Sequence, residues 1–364
     1  MVSTRAAWAG LTLAGIVLTG AAAAGPAGAS AAPTTAGRSW LNAVAATSAR
    51  DAWAVGEAGG GTQDLILHWN GTAWKPVPSP DRAGSVLSGV AAVSARCAWA
   101  VGLTRHQEPL ILRWNGTSWR RVPAPAPPGG GWLFGVTALS ARDAWAVGYA
   151  GNQDAGVTRT LIVHWNGTSW KRVRSPAAAG SELLAVAAAS ARSAWAVGTP
   201  PAGSTPVTLH WNGISWSRVA SPAISGGGVL SGVSAASGRL VFAVGTANLA
   251  SYSTLVERWG GTRWSRVPSP SPAAKGGSQL YGVVSAASAG RTWAVGYTGT
   301  RTLILRWNGT AWKRAASPTP GRGATLNGVA VVPVRGAWAV GETFAGRTLI
   351  LRWNGSAWRR VPSP

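Results

Sequence analysis

The chain has 364 residues, 46% of them hydrophobic, which is enough for a substantial core, and only 12% charged. Its formal net charge is +23, and such an excess favours anionic partners: nucleic acid, acidic glycans, wall polymers or a membrane surface. A composition bias that keeps a secreted protein soluble explains the same excess without a ligand. The one cysteine, Cys97, excludes an internal disulfide and argues against thiol chemistry.

The N-terminal segment predicts an export signal. Arg5 precedes an apolar run at 6–24, and Ala29-Ser30-Ala31 fits a cleavage site with small residues at both recognised positions. The alternative, a membrane anchor, needs a longer run and a basic cluster after it. We therefore predict a cleaved signal peptide at 1–31 and a short linker at 32–39. The mature protein is predicted to be secreted, either free outside the cell or associated with the cell wall.

Seven near-copies of one pattern fill the rest of the chain. Each reads approximately L-x-G-V-A-A-x-S-A-R-x-A-W-A-V-G, a variable stretch, and then T-L-I-L-(H/R)-W-N-G-T-x-W-K-R-V-P-S-P. Intervals of this size are typical of propeller blades. The units begin at Leu41, Leu87, Leu133, Leu183, Leu230, Leu280 and Leu326.

Each unit supplies four short apolar runs bounded by Gly, Pro, Ser or Asn-Gly, which favours strands. This predicts an all-β fold, a seven-bladed β-propeller with four antiparallel strands per blade. The L-x-G-V-A-A strand carries small residues and is predicted to be innermost, with indoles in the wider outer space. The predicted propeller spans 40–364, with blades at roughly 40–80, 87–125, 133–176, 183–222, 230–270, 280–318 and 326–364.

The pattern SARDAWAVG…LILHWNGTAW resembles the repeats of secreted bacterial propellers in the Asp-box (BNR) and kelch/galactose-oxidase-like superfamilies. Gly71, Thr72 and Trp74 fit the Asp-box turn, whereas Asn70 replaces its aspartate and the segment is one residue shorter. The resemblance implies a propeller and transfers no activity, because such folds serve hydrolases, lectins and assembly factors.

The hairpin around Asn-Gly carries two tryptophans in every unit. A two-residue type I′ turn predicts that Trp69 opposes Thr72 and Leu67 opposes Trp74, with both indoles on one face. The preceding position is always a planar ring or cation, which we expect to stack on the next blade's indole. These residues are His68, Arg113, His164, His210, Arg258, Arg306 and Arg352.

Connectivity separates two rims. The S-A-R and Asn-Gly turns share a uniform rim, while the variable loops between the second and third strands, and between blades, share the other. Function on rigid scaffolds concentrates in such loops, so the variable rim is the predicted binding face, with solvent-facing variation as the alternative. The candidate ligand-binding residues are Arg105, His106, Tyr149, Asn152, Arg159, Tyr252, Tyr297 and Arg301, with Asp154 as a further capable side chain.

An enzyme is disfavoured because the ten acidic residues are scattered singly and no nucleophile, zinc or phosphate-loop motif is present. The prediction is a non-enzymatic binding or scaffold module for glycans, anionic wall polymers or proteins. The alternative is a carbohydrate-active hydrolase or lyase on the variable rim. Export argues against nucleic acid, and we expect no catalytic residues, no metal, no cofactor and, since a ring closes on itself, a monomer.

Overall fold

The computed structural model describes residues 37–81, 84–152, 157–201, 205–272, 276–286, 292–332 and 336–364. The predicted signal peptide and Asp154 lie outside these residues. The predicted fold class is confirmed: seven four-stranded antiparallel sheets, each built from four consecutive strands, form the blades. Across the described ranges, no helix is long and apolar enough to cross a membrane.

The strands are numbered β1 to β28 in chain order. Blades one to three contain, in order, Trp40–Ser48, Asp51–Ala58, Gln63–Trp69, Trp74–Pro76; Val86–Ser94, Cys97–Leu103, Pro109–Trp114, Trp119–Arg121; Gly131–Ser140, Asp143–Asn152, Val157–Trp165 and Trp170–Val173. Blades four and five contain Glu182–Ser190, Ser193–Thr199, Val207–Trp211, Trp216–Arg218; Gly228–Ser237, Leu240–Ala247, Ser253–Trp259 and Trp264–Arg266. Blades six and seven contain Ser278–Ser285, Thr292–Thr298, Arg301–Trp307, Trp312–Ala315; Ala324–Val332, Gly336–Thr343, Arg347–Trp353 and Trp358–Val361.

The first strand of each blade is innermost, as predicted, because these seven strands contact one another around the axis. Small residues are required there: a Cβ added at Gly89 would lie 2.7 Å from the Phe134 carbonyl oxygen of the next blade. The ring closes between β1 and β25 without an exchanged strand, since each sheet keeps its own four strands, and the two strands pack against each other. The amide of Asn327 also donates to the Leu41 carbonyl at 3.0 Å across this closure.

A β-bulge interrupts every innermost strand at the variable residue of L-x-G. The glycine that ends A-W-A-V-G faces this bulge, and at Gly102 an added Cβ would lie 1.8 Å from the Val86 carbonyl oxygen. Any larger residue would push the two strands apart. A bulge redirects the side chain of its extra residue, which matters for the axial end described below.

Indoles fill the seams, by which we mean the interfaces between neighbouring blades. At the first seam Trp53 is fully buried, with ring centroids 4.7 Å from Trp114 and 5.1 Å from Trp119 of the next blade. The same set of three aromatic side chains recurs at the other seams, with Phe242 in place of the first indole at the seam between blades five and six.

The expected stacking on the next blade's indole is confirmed for the arginines before the hairpins. Arg352 lies 5.4 Å over Trp69 of the next blade and 5.2 Å over Trp338 of its own. Each such cation–π contact stabilises the seam by roughly 0.5–2 kcal/mol. The expectation is wrong for the histidines, which stack on an indole of their own blade: His68 lies 4.2 Å from Trp53 and bonds to Asp51 at 2.7 Å.

The predicted register of the Asn-Gly hairpin is wrong. Trp69 pairs with Trp74, and Leu67 pairs with Pro76, so the loop has four residues. A type I′ turn needs positive φ at both central residues, but only Gly71 has it, at 100°. The Asn70 carboxamide instead accepts bonds from the Thr72 and Ala73 amides, which closes the longer loop. The face assignment holds, because directly paired residues share a face.

A hydroxyl pair ties the V-P-S-P segment to the start of the third strand. Thr160 bonds to Ser175 at 2.6 Å, and Thr348 to Ser363 at the same distance. Blade two has proline and alanine at these positions, Pro109 and Ala124, so it lacks both partners.

Removing one such pair should give a measurable coupling. We expect the double-mutant cycle of Thr348→Val and Ser363→Ala, followed by urea unfolding, to yield a coupling energy of about 1 kcal/mol. Strict additivity of the two single changes would show that the pair contributes nothing beyond its separate side chains.

Candidate functional site

Seven bulge residues surround the axis at the end of the innermost strands that adjoins the variable rim. Contacts join them to their neighbours around the ring: the Asn42 amide donates to the Leu87 carbonyl at 2.8 Å, and the Trp132 indole donates to the Ser88 hydroxyl at 2.8 Å. This set, here called the axial ring, breaks the repeat. It consists of Asn42, Ser88, Phe134, Leu184, Ser231, Tyr281 and Asn327.

The pair of residues above each bulge also varies. The residue before the leading leucine pairs with the residue after A-W-A-V-G, as Trp40 does with Glu57 and Gln279 with Tyr297. The other blades carry Val86–Leu103, Trp132–Tyr149, Glu182–Thr199, Val229–Thr246 and Thr325–Glu342. The residues that distinguish the blades from one another therefore lie at one end of the central axis, here called the axial mouth.

One side of this mouth is apolar. Phe134, Tyr149, Leu184 and Val229 form a buried cluster across blades three to five, with Trp132 packed against it. Ring centroids are 4.9 Å apart for Trp132 and Phe134 and 5.8 Å for Phe134 and Tyr149. We call this group the apolar plug.

The opposite side carries three tyrosines and two carboxyl groups from blades five, six, seven and one. The Tyr281 hydroxyl donates to the Gln279 carboxamide at 2.8 Å, and the Tyr281 and Tyr297 rings are 5.9 Å apart. Burial raises the pKa of Tyr281, and the neighbouring Tyr297, Glu342 and Tyr252 raise it further. We call Tyr252, Tyr281, Tyr297, Glu342 and Glu57 the polar arc.

The two carboxyl groups of the polar arc have pKa values raised above the ordinary value of glutamate. Glu57 is 3% exposed, and burial raises its pKa to about 7 although the Asn42 amide and the Trp40 indole oppose the shift. Burial also raises the pKa of Glu342 to about 7, where Arg38 opposes the shift and Glu57 adds to it.

Tyr252 has a strained backbone in the loop before β19. Its φ is 53°, a left-handed conformation that aromatic residues adopt rarely and at a cost of about 1–3 kcal/mol. Its amide donates to the Asn248 carbonyl at 2.7 Å, and its own carbonyl accepts from the Ser278 amide at 2.7 Å. These bonds hold the residue beside the polar arc, where it raises the pKa of Tyr297 in addition to burial.

The candidate residues predicted from sequence divide into two groups. Tyr252 and Tyr297 belong to the polar arc, and Tyr149 to the apolar plug. The other five belong to neither group; among them, Arg105 Nε donates to His106 Nε2 at 3.0 Å. Those five are exposed: Arg105 and His106 in the β6–β7 turn, Asn152 at the end of β10, Arg159 in β11, and Arg301 at the start of β23.

Sequence reasoning missed Trp40, Asn42, Glu57, Tyr281 and Glu342. The repeats carry the signal that identifies them: these residues occupy positions that differ between units inside strands that otherwise agree. The variation that marks the site lies on both sides of each leading leucine as well as in the loops.

No protein family model and no curated protein matches the chain. Solved propellers do: a YCF48 structure bound to a D1 peptide has 12% identity and a TM-score of 0.57, covering 88% of this chain and 95% of that one. YCF48 from Cyanidioschyzon merolae has 18% identity, covers 88% and 97%, and has a TM-score of 0.56.

A six-bladed fungal lectin from Aleuria aurantia, described for its fucose recognition, has 11% identity, covers 89% and 95%, and has a TM-score of 0.51. At such identities the likeness shows the propeller fold alone. The resemblance to Asp-box and kelch-like repeats therefore stays a prediction.

Proposed function

We propose that the protein is a secreted, non-enzymatic binding propeller that holds a neutral glycan at the axial mouth, between the polar arc and the apolar plug. The observation that carries this proposal lies within the innermost strands: across seven near-identical blades, the bulge residue and the pair above it differ from blade to blade, and these residues meet at one place. A site shaped for a ligand accounts for such differences between strands that otherwise agree.

The chemistry of the mouth suits a sugar. A sugar ring has apolar C–H faces that pack on aromatic rings, and hydroxyls that both donate and accept hydrogen bonds. Trp40, Tyr297 and Tyr281 are partly exposed aromatic residues, and a protonated Glu57 both donates and accepts. Among the similar folds, the Aleuria aurantia lectin is named for fucose recognition and YCF48 for a bound peptide, so a peptide is the competing ligand class.

Glu57→Leu should weaken glycan binding by roughly tenfold, because leucine can neither donate nor accept a hydrogen bond at this position. Glycan-array binding and calorimetry at low and high salt would measure this. Glu108→Leu is the matched control, since Glu108 is an exposed carboxyl on the variable rim. Equal loss in both variants, or strong salt dependence of the binding, would contradict a shaped neutral site.

The same carboxyl pair favours one second candidate, a carbohydrate-active hydrolase. Glycoside hydrolysis uses two carboxyls, one of which keeps its proton near neutral pH as general acid, and the pKa values of Glu57 and Glu342 are both raised to about 7. Release of new reducing ends from any bound polysaccharide, abolished in Glu342→Gln, would establish this candidate and overturn the non-enzymatic one.

A further inference from the structure

A groove of about 550 Å³ opens on the outer wall of the ring, at the seam between blades six and seven. It lies far along the blades from the axial mouth, on β23 and β24 of one blade and the hairpin of the next. The lining includes Arg306, Lys313, Arg314, Trp353, Ala357 and Trp358.

The charge of this groove has one sign. Lys313 pairs directly with Arg306 across β23 and β24, so these two cations share the face of the sheet that borders the groove. Arg314 pairs with Leu305, which packs toward blade five, so Arg314 touches only the edge of the opening. Of the described residues that line it, none is acidic. Arg306 is already engaged with indoles, at 5.4 Å from Trp293 and 6.0 Å from Trp353, which leaves Lys313 as the exposed charge on this face.

The groove also offers an aromatic surface. Trp353 is partly exposed, as are its counterparts Trp114 and Trp211, whereas Trp69 and Trp165 are each 4% exposed. A partly exposed indole beside an exposed cation matches a ligand that has both a flat ring face and a negative charge.

We propose that this groove binds an acidic sugar unit of a polysaccharide, with the carboxylate at Lys313 and the sugar ring against Trp353. The site is independent of the axial mouth and of the neutral glycan proposed there. On an outer wall that is positively charged in general, this groove is one local binding site for an anion.

Ala357→Glu tests the site by placing a carboxylate in the groove. Blade five carries Arg263 at the equivalent position, so a long polar side chain is compatible with the fold. Ala311→Glu is the matched control: it changes the net charge equally, at the seam where Ser265 replaces Lys313 and Phe242 replaces Trp293. With tetragalacturonate at 150 mM salt, we expect at least a tenfold loss of affinity for Ala357→Glu and less than twofold for Ala311→Glu.

Two further ligands distinguish a site that recognises the sugar ring from nonspecific electrostatic attraction. Methyl-esterified tetragalacturonate should bind at least tenfold more weakly, and polyphosphate, which has charge without a sugar ring, should compete poorly. Lys313→Ser, with Lys171→Ser in blade three as control, covers the case in which Ala357→Glu fails to fold. Equal loss in the paired variants, or polyphosphate binding as tight as the sugar acid, would overturn the proposal.

Discussion

Glu257→Leu is expected to raise the free energy of unfolding by about 3 kcal/mol at pH 8. Glu257 lies in β19 with no exposed surface, at a position that is leucine or valine in the other blades. Ser221 donates to one carboxyl oxygen at 2.7 Å, and the other oxygen, Oε2, is buried without a hydrogen-bond partner. In blade four, Pro206 replaces the threonine that bonds to the serine of V-P-S-P in other blades. Ser221 therefore donates to Glu257 of the next blade instead.

The effect depends on pH in a defined direction. Burial raises the pKa of Glu257 from its ordinary value of 4.5 to about 7, against the opposing effects of Ser221 and Arg266. The folded state therefore binds the proton more tightly than the unfolded state. The stability that comes from protonation of Glu257 is fully present below pH 4.5 and is lost as the pH rises through 7.

Urea unfolding at pH 5 and pH 8 measures the change. Most of the gain from Glu257→Leu should be confined to pH 8, and Glu257→Gln should show part of it, because the amide cannot ionise but still buries polar atoms. A gain of equal size at the two pH values would show that ionisation of Glu257 is not its origin.

Trp338→Ala should destabilise the protein by about 4 kcal/mol, the range observed when a large buried aromatic side chain is removed. Trp338 is fully buried at the closing seam, with ring centroids 5.0 Å from Trp69 and 5.1 Å from Trp74. The change removes the centre of a three-ring contact and leaves Arg352 over a single indole.

Trp338→Phe is the control, because blade five carries Phe242 at this position, 5.3 Å from both Trp307 and Trp312. We expect a cost of about 1 kcal/mol for phenylalanine. Chemical unfolding followed by tryptophan fluorescence compares the two variants. Similar costs for alanine and phenylalanine would mean that seam packing does not determine stability.

The repeat makes the fold predictable, because spacing, turn residues and the distribution of small and large side chains all indicate the same blade. The register of the hairpin was not predictable from Asn-Gly alone. The Asn70 carboxamide accepts bonds from backbone amides, and this local contact outweighs the usual two-residue turn.

The axial mouth was predictable only in part. Tyr252 and Tyr297 were identified through their variable loops, whereas Glu57 and Glu342 lie at opposite ends of the repeat array and meet only because the ring closes. The bulge that redirects Tyr281 is a backbone feature with no residue signature of its own beyond the variable letter in L-x-G.

Because each sheet keeps its own four strands, the sequence repeat and the hydrogen-bonded sheet are the same unit. A blade can therefore be duplicated or deleted as one unit. Such a change interrupts only loops and side-chain seams, and it leaves the backbone hydrogen bonds within every remaining sheet intact. Propellers that exchange a strand across the closure lack this freedom. Here the seam geometry alone limits the number of blades, and each duplicated copy brings its own bulge residue to the axis, free to acquire a new side chain.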